Sequence, residues 1–203
     1  MNKQIVIIDY GSGNLHSVSK AVTAIGADPL VTSDPQKIAA ASKIILPGVG
    51  AFGDCMHNLQ SYHLEEVIVQ ALQAGKPFLG ICLGLQLLFE GSEETPGVAG
   101  LGFFKGNITK IVTPYKIPHM GWNKLELRAA SPLLSQVSGE YVYFVHSYHA
   151  QPLDKGIVTA VCDYGQEVVA SVGRDNVQAV QFHPEKSSSV GLKILQAFKE
   201  WQP

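Results

Sequence analysis

Apolar residues run unbroken from Ile5 to Ile8 and stop at Asp9. A β-branched run with no polar relief is the pattern of a strand buried on both faces, which predicts a strand over 4–9. Tyr10 to Asn14 read as a turn. From Leu15 the spacing changes: Leu15, Val18, Val22 and Ile25 recur at helical intervals until Gly26, so a helix is predicted over 15–25. A short strand over 30–32, a short helix over 34–40 and a third strand over 43–46 follow, the last running into Pro47-Gly48-Val49-Gly50. A helix within 58–74, closed by Gly75, precedes a fourth strand over 77–79. Strand and helix alternating in this way predict an α/β fold with a parallel sheet and helices on both faces.

Beyond residue 100 the rhythm differs. Short apolar runs over 107–112, 123–127, 141–146, 157–162, 167–172 and 177–182 are separated by turns, which predicts an antiparallel extension. Gly173-Arg174-Asp175-Asn176 is a hairpin tip. A helix over 188–201 is placed to cover the sheet. With no repeat, charge block or low-complexity linker, the chain is expected to form one domain, 1–203.

Composition narrows the function classes. A net charge of −2 favours neither nucleic acid nor an anionic membrane as partner. The start, Met1-Asn2-Lys3-Gln4 and then an apolar run ending at Asp9, does not fit a signal peptide. The apolar stretch over 77–89 is too short to span a bilayer. Three cysteines without a C-x-x-C suggest neither a disulfide framework nor a zinc knuckle, so a reducing, cytoplasmic setting is expected.

The chemistry concentrates at Pro77-Phe78-Leu79-Gly80-Ile81-Cys82-Leu83-Gly84-Leu85-Gln86. A strand-like run meets a cysteine flanked at two positions by glycines, and a helix-like run follows. This is the layout of a nucleophile elbow. It presents Cys82 at a sheet edge and at a helix N-terminus, a setting that favours the reactive thiolate. Cys55 and Cys162 lack that context and read as packing residues. A cysteine nucleophile needs a base and the base an orienting group. His183-Pro184-Glu185 offers both: on an extended segment residues two apart project to one face, so Glu185 would hold the His183 ring. His146 and His149 share helical rather than strand spacing and have no third ligand nearby, so no metal is expected. No phosphate-cradling loop is present, since Gly11-Ser12-Gly13 is not followed by the third glycine, and no cofactor is expected. A free-standing cysteine hydrolase on an α/β scaffold meets these observations too.

Gly80-x-Cys82-x-Gly84-x-Gln86 together with His183-Pro184-Glu185 resembles the class I (triad) glutamine amidotransferases. Four further segments resemble one branch of that family, the glutaminase subunits of imidazole glycerol phosphate synthases. They are Asp9-Tyr10-Gly11-Ser12-Gly13-Asn14-Leu15, Pro47-Gly48-Val49-Gly50-Ala51-Phe52, Pro118-His119-Met120-Gly121-Trp122-Asn123 and Tyr143-Phe144-Val145-His146-Ser147-Tyr148. The resemblance implies a doubly wound, flavodoxin-like fold and hydrolysis of glutamine. It gives Cys82 the role of nucleophile, His183 that of base and acid, and Glu185 that of orienting carboxylate. It also implies substrate contacts at Gln86, His146, Ser147 and Tyr148. The oxyanion donors would come from Leu83 and from Val49 or Gly50. The implied partner is a (β/α)₈-barrel cyclase that receives the ammonia, with Asn14, Trp122 and Lys186 at the contact. Glycines at 48 and 50 permit backbone angles closed to other residues. The Val49 peptide is therefore expected to flip between donor-in and donor-out states, and the resemblance implies that the partner controls the flip.

Overall fold

The computed structural model describes residues 4–203; Met1–Lys3, at the start of the expected domain, lie outside the described residues. The first half alternates as its pattern predicts: β1 (Gln4–Ile8), α1 (Leu15–Ala24), β2 (Asp28–Thr32), α2 (Pro35–Ala40), β3 (Ile44–Gly48), α3 (Phe52–Ser61), α4 (Glu65–Gln73), β4 (Phe78–Cys82) and α5 (Leu83–Gln86). The second half supplies β5 (Gly91–Ser92), β6 (Gly106–Lys110), β7 (His119–Lys124), β8 (Glu126–Leu127), β9 (Tyr141–His146), β10 (Tyr148–Pro152), β11 (Val158–Asp163), β12 (Glu167–Arg174), β13 (Val177–Val180) and α6 (Ser188–Glu200).

The main sheet has strand order β2-β1-β3-β4-β13-β12-β11-β8. Its first five strands are parallel, and β12, β11 and β8 continue it antiparallel. Alternate residues of each central strand feed opposite cores, which is why β1 reads as an unbroken apolar run. Ile5 and Ile7 pack with Ile45 and Leu79 against α1 and α6 through Val18, Val22, Ile194 and Phe198. Val6 and Ile8 pack with Ile44, Leu46 and Phe78 against α2 to α4 through Ile38, Met56, Leu59, Ile68 and Leu72. Two smaller sheets, β10-β6-β5 and the β7-β9 ribbon, stand beside the main one. Among the described residues no helix is long and apolar enough to cross a membrane.

The helix expected within 58–74 is two helices, and the first begins at Phe52. Its N-terminus has no cap of its own. Glu94 Oε2 accepts the Phe52 N–H at 2.8 Å and Thr95 Oγ1 the Gly53 N–H at 3.2 Å, so the capping groups come from far along the chain. The break between the two helices passes through His63 at φ 56°. The strand expected over 123–127 starts earlier, at His119, and is interrupted at Leu125. Strands β5 and β10 have no counterpart among the elements the sequence pattern predicts.

Asn176, in the β12–β13 turn, fastens the two strands that matter most below. Its side-chain Nδ2 donates to the Leu72 and Lys76 carbonyls at 3.0 and 2.8 Å. Its own carbonyl accepts the Phe78 N–H at 2.9 Å, where β4 begins.

Candidate active site

Parallel pairing brings the ends of neighbouring strands to one edge of the sheet, where α/β folds place their crevices. Gly48 of β3 is level with Cys82 of β4, and Val180 of β13 is level with Ile81. The segments that leave these strands, Val49-Gly50, Cys82-Leu83 and Gln181 to Glu185, therefore emerge side by side. Val49, Gly50, Cys82, Leu83, Gln86, His146, Ser147, Tyr148 and His183 all line one cavity of about 270 Å³.

Cys82 turns the chain from β4 into α5 at φ 55°, ψ −109°. A non-glycine residue held there carries strain of about 1–3 kcal/mol, tolerated only where the surroundings enforce it. They do so by steric fit. A Cβ on Gly84 would sit 1.9 Å from the Leu46 carbonyl oxygen, and one on Gly80 would sit 2.8 Å from the Gly84 oxygen. The two glycines are thus spacers that let α5 press onto β3 and β4. The helix itself is shorter than its apolar run suggests, ending at Gln86.

His183 Nδ1 and Glu185 Oε1 are 2.8 Å apart, with both side chains almost wholly buried. A carboxylate only accepts, so Nδ1 carries the proton and Nε2 is the nitrogen left free. Nε2 has no hydrogen-bond partner, nor has Glu185 Oε2. Burial alone would pull the ring down; the Cys82 sulfur and the Glu185 carboxylate outweigh it, and the ring is pushed up to about 10. The sulfur is thus close enough to act on the imidazole, although the pair falls short of a hydrogen bond, as free sites commonly do. One expectation changes: the pair is not on an extended segment. β13 ends at Val180, and Pro184–Lys186 form a 3₁₀ turn that swings Glu185 back under His183.

The opposite wall adds three observations. The Val49 N–H donates to Ser12 Oγ at 3.3 Å, and Ser12 Oγ donates to the Val49 carbonyl at 2.5 Å. The expected oxyanion donor is therefore engaged by a side chain of the 10–14 turn. Cys55 is more than packing: its Sγ lies 3.2 Å from Ser12 Oγ and 3.5 Å from the Val49 oxygen, and burial pushes the thiol up, keeping it a donor. Only one of the two glycines owes its place to backbone angle. Gly50 has φ +105°, whereas Gly48 is required by closeness, its Cβ position being 2.6 Å from the Tyr10 hydroxyl.

Gln86 is buried, with Nε2 donating to the Tyr148 carbonyl at 3.1 Å and to Gln181 Oε1 at 3.0 Å. His146 donates from Nδ1 to the same carbonyl at 2.8 Å. His149 lies in β10, with Nδ1 accepting the Val169 N–H at 3.3 Å. Of the three expected contact residues, Trp122 and Lys186 come together. Trp122 is 52% exposed and packs edge-on to Tyr143 at 6.2 Å, and Lys186 Nζ lies 5.8 Å over the same ring. Asn14 instead caps α1, accepting the Ser17 N–H at 3.4 Å.

Three residues of the site escape the sequence reading. Glu94 reaches the cavity wall, yet in the chain it looks like one charge of an exposed Ser-Glu-Glu run. Ser12 reads as a turn residue. Gln181 reads as part of the delivering strand.

Comparison with known proteins agrees over nearly the whole chain. Residues 6–200 match the family model described as glutamine amidotransferase class-I. A protein of Methanothermobacter thermautotrophicus named imidazole glycerol phosphate synthase subunit HisH is 52% identical over 196 residues, which cover 97% of this chain and 98% of that protein. The HisH subunit of Aquifex aeolicus is 51% identical, covering 96% of this chain and 95% of its own. Among solved structures, PurLQS from Thermotoga maritima superposes with a TM-score of 0.76 at 20% identity, covering 98% of each chain, and so attests the fold.

Proposed function

The chain belongs to the class I glutamine amidotransferases and is a glutaminase subunit of imidazole glycerol phosphate synthase; from that premise we propose that Cys82, His183 and Glu185 cleave the side-chain amide of glutamine. The observation that carries this reading is that His183, held from behind by buried Glu185, lines one cavity with the strained Cys82.

With the ring pushed up to about 10, His183 holds its second proton at neutral pH. Cys82 reacts as its thiolate, the nucleophilic form of a thiol. The thiolate attacks the amide carbon, His183 passes its proton to the leaving nitrogen, and ammonia departs. Once sulfur is bound in a thioester its charge is gone, the ring loses that support, and it becomes the base that activates water to release glutamate. Charge on the tetrahedral oxygen needs fixed donors: the Leu83 N–H at the start of α5, and a second from Val49 or Gly50. A missing donor of this kind costs about 3–4 kcal/mol of transition-state stabilisation. Because Ser12 engages the Val49 N–H, the second donor requires a rearrangement of that peptide, which binding of the synthase partner would drive. Gln86, His146, Ser147 and Tyr148 would seat the glutamine side chain, and the Glu94 carboxylate suits its ammonium group.

The ammonia passes to a cyclase subunit, a (β/α)₈ barrel, for imidazole glycerol phosphate formation in histidine biosynthesis. The chain and the barrel form a heterodimer in the cytoplasm. Exposed Met120 and Trp122 on the ribbon, with Lys186 beside them and Asn14 nearer α1, are the proposed contact. The test is Cys82→Ser assayed with the cyclase. Glutamine-dependent synthesis should vanish while synthesis from added ammonia continues; retained glutamine use overturns the assignment.

A further inference from the structure

Gln181 is fully buried just beyond β13. Its Nε2 faces the Cys82 sulfur at 3.7 Å, and its Oε1 accepts from Gln86 Nε2 at 3.0 Å. Which end of this amide meets the sulfur is decided further away. Gln86 Nε2 also touches the Tyr148 carbonyl, and a carbonyl only accepts. The nitrogen of Gln86 is therefore fixed at that end, Gln181 must offer it oxygen, and the Gln181 nitrogen is left pointing at sulfur.

The Tyr148 carbonyl is itself held from behind. His146 Nδ1 lies 2.8 Å from it and must donate, so His146 Nε2 accepts from His119 Nδ1 at 3.1 Å. His119 Nε2 in turn accepts from Asn123 Nδ2 at 3.2 Å. Burial keeps both rings neutral, as this arrangement requires. Each link has one permitted direction: donors from the ribbon side and from Gln86 converge on the Tyr148 carbonyl, and from Gln86 the order runs on to Cys82.

We propose that Gln181 is a positioning residue for amide cleavage: its side-chain N–H donates to the Cys82 thiolate, and Gln86, anchored on Tyr148, holds the amide that way round. This rests on Cys82 being the nucleophile. The donor fixes the direction of the sulfur lone pairs and favours the anion over the thiol, since an ionised acceptor strengthens the bond.

Two substitutions separate this role from packing. Gln181→Met fills a similar volume without a donor. Gln181→Glu keeps the shape and the oxygen toward Gln86, but sets an oxygen against the sulfur. Each is made in the full chain, assembled with the cyclase, and read by the rate of Cys82 alkylation by iodoacetamide and by kcat and KM for glutamine. Gln181→Met should lower alkylation and kcat by roughly tenfold to a hundredfold, the worth of a hydrogen bond to a charged group, with KM little changed. Gln181→Glu should lose more. Wild-type rates in either folded variant, or Gln181→Glu outperforming Gln181→Met, would overturn the proposal, because a packing role ranks the closer shape first. Cys82→Ser runs alongside: if that variant still turns over glutamine, the nucleophile assignment has failed rather than the role of Gln181.

Discussion

On one wall of the cavity stands His183, held from behind by Glu185 at 2.8 Å, both side chains buried; on the other, Val49 is 42% exposed and its peptide is engaged by Ser12. The first wall is assembled from strand ends locked into the main sheet. The second is a turn held by one hydroxyl and a neighbouring thiol. Interactions of such different depth respond differently to perturbation. The imidazole and its carboxylate are preset, and the second oxyanion donor is the part left to be set by something else.

The contrast can be broken most severely from the buried side. Glu185→Gln leaves the ring without an anionic partner for its Nδ1 proton. Glutaminase kcat should fall on the order of 10²–10⁴-fold, the range of positioned acid–base catalysis, measured by glutamate release with the cyclase present. Gly50→Ala tests the other wall. At φ +105° a side chain is strained by about 1–3 kcal/mol, so turnover should drop while iodoacetamide still alkylates Cys82 at its usual rate. Equal damage to both readouts would mean that the walls are not independent. Ser12→Ala is expected to act in the opposite sense. Removing the hydroxyl releases Val49, and a net hydrogen bond of about 1 kcal/mol corresponds to a rise of roughly fivefold in glutaminase rate without the cyclase. An unchanged or lower basal rate would show that Ser12 does not restrain the donor.

The buried histidines add a dependence on pH. Burial lowers His119 to about 4, His146 to about 3 and His149 to about 4. Each is neutral in the fold but takes a proton below about 6.5 when unfolded. Stability should therefore be complete above pH 6.5 and decline as pH falls toward 4, by up to about 1.4 kcal/mol per pH unit for each ring. Thermal melts at pH 7, 5.5 and 4.5 read this. His183 has the opposite sign: its contribution is complete below pH 6.5 and is lost as pH rises through about 10.

The parallel half was legible because its signals are local. An unbroken apolar run is a central strand, and glycines around a cysteine mark an elbow even before their steric partners are known. His183 and Glu185 were legible as a pair, but the turn that joins them was not, since Pro184 suits an extended segment and a 3₁₀ turn equally well. What escaped depends on contacts between distant segments. The start of α3 is capped by Glu94 and Thr95, so no signal near Phe52 announces it. The engagement of Val49 by Ser12 joins two turns whose meeting is decided by strand order. The helix break at His63 has neither glycine nor proline to mark it.

Asn176 acts as a common origin for the two arms that carry sulfur and imidazole. It clamps the beginning of β4 and of β13 together, and from that point both strands run level to the opposite edge. Side chains alternate along a strand, so a single residue added to or removed from either arm would send its reactive group to the far face of the sheet. The reach of the imidazole toward its target is thus measured out by two rulers sharing one zero mark, and neither can be lengthened alone.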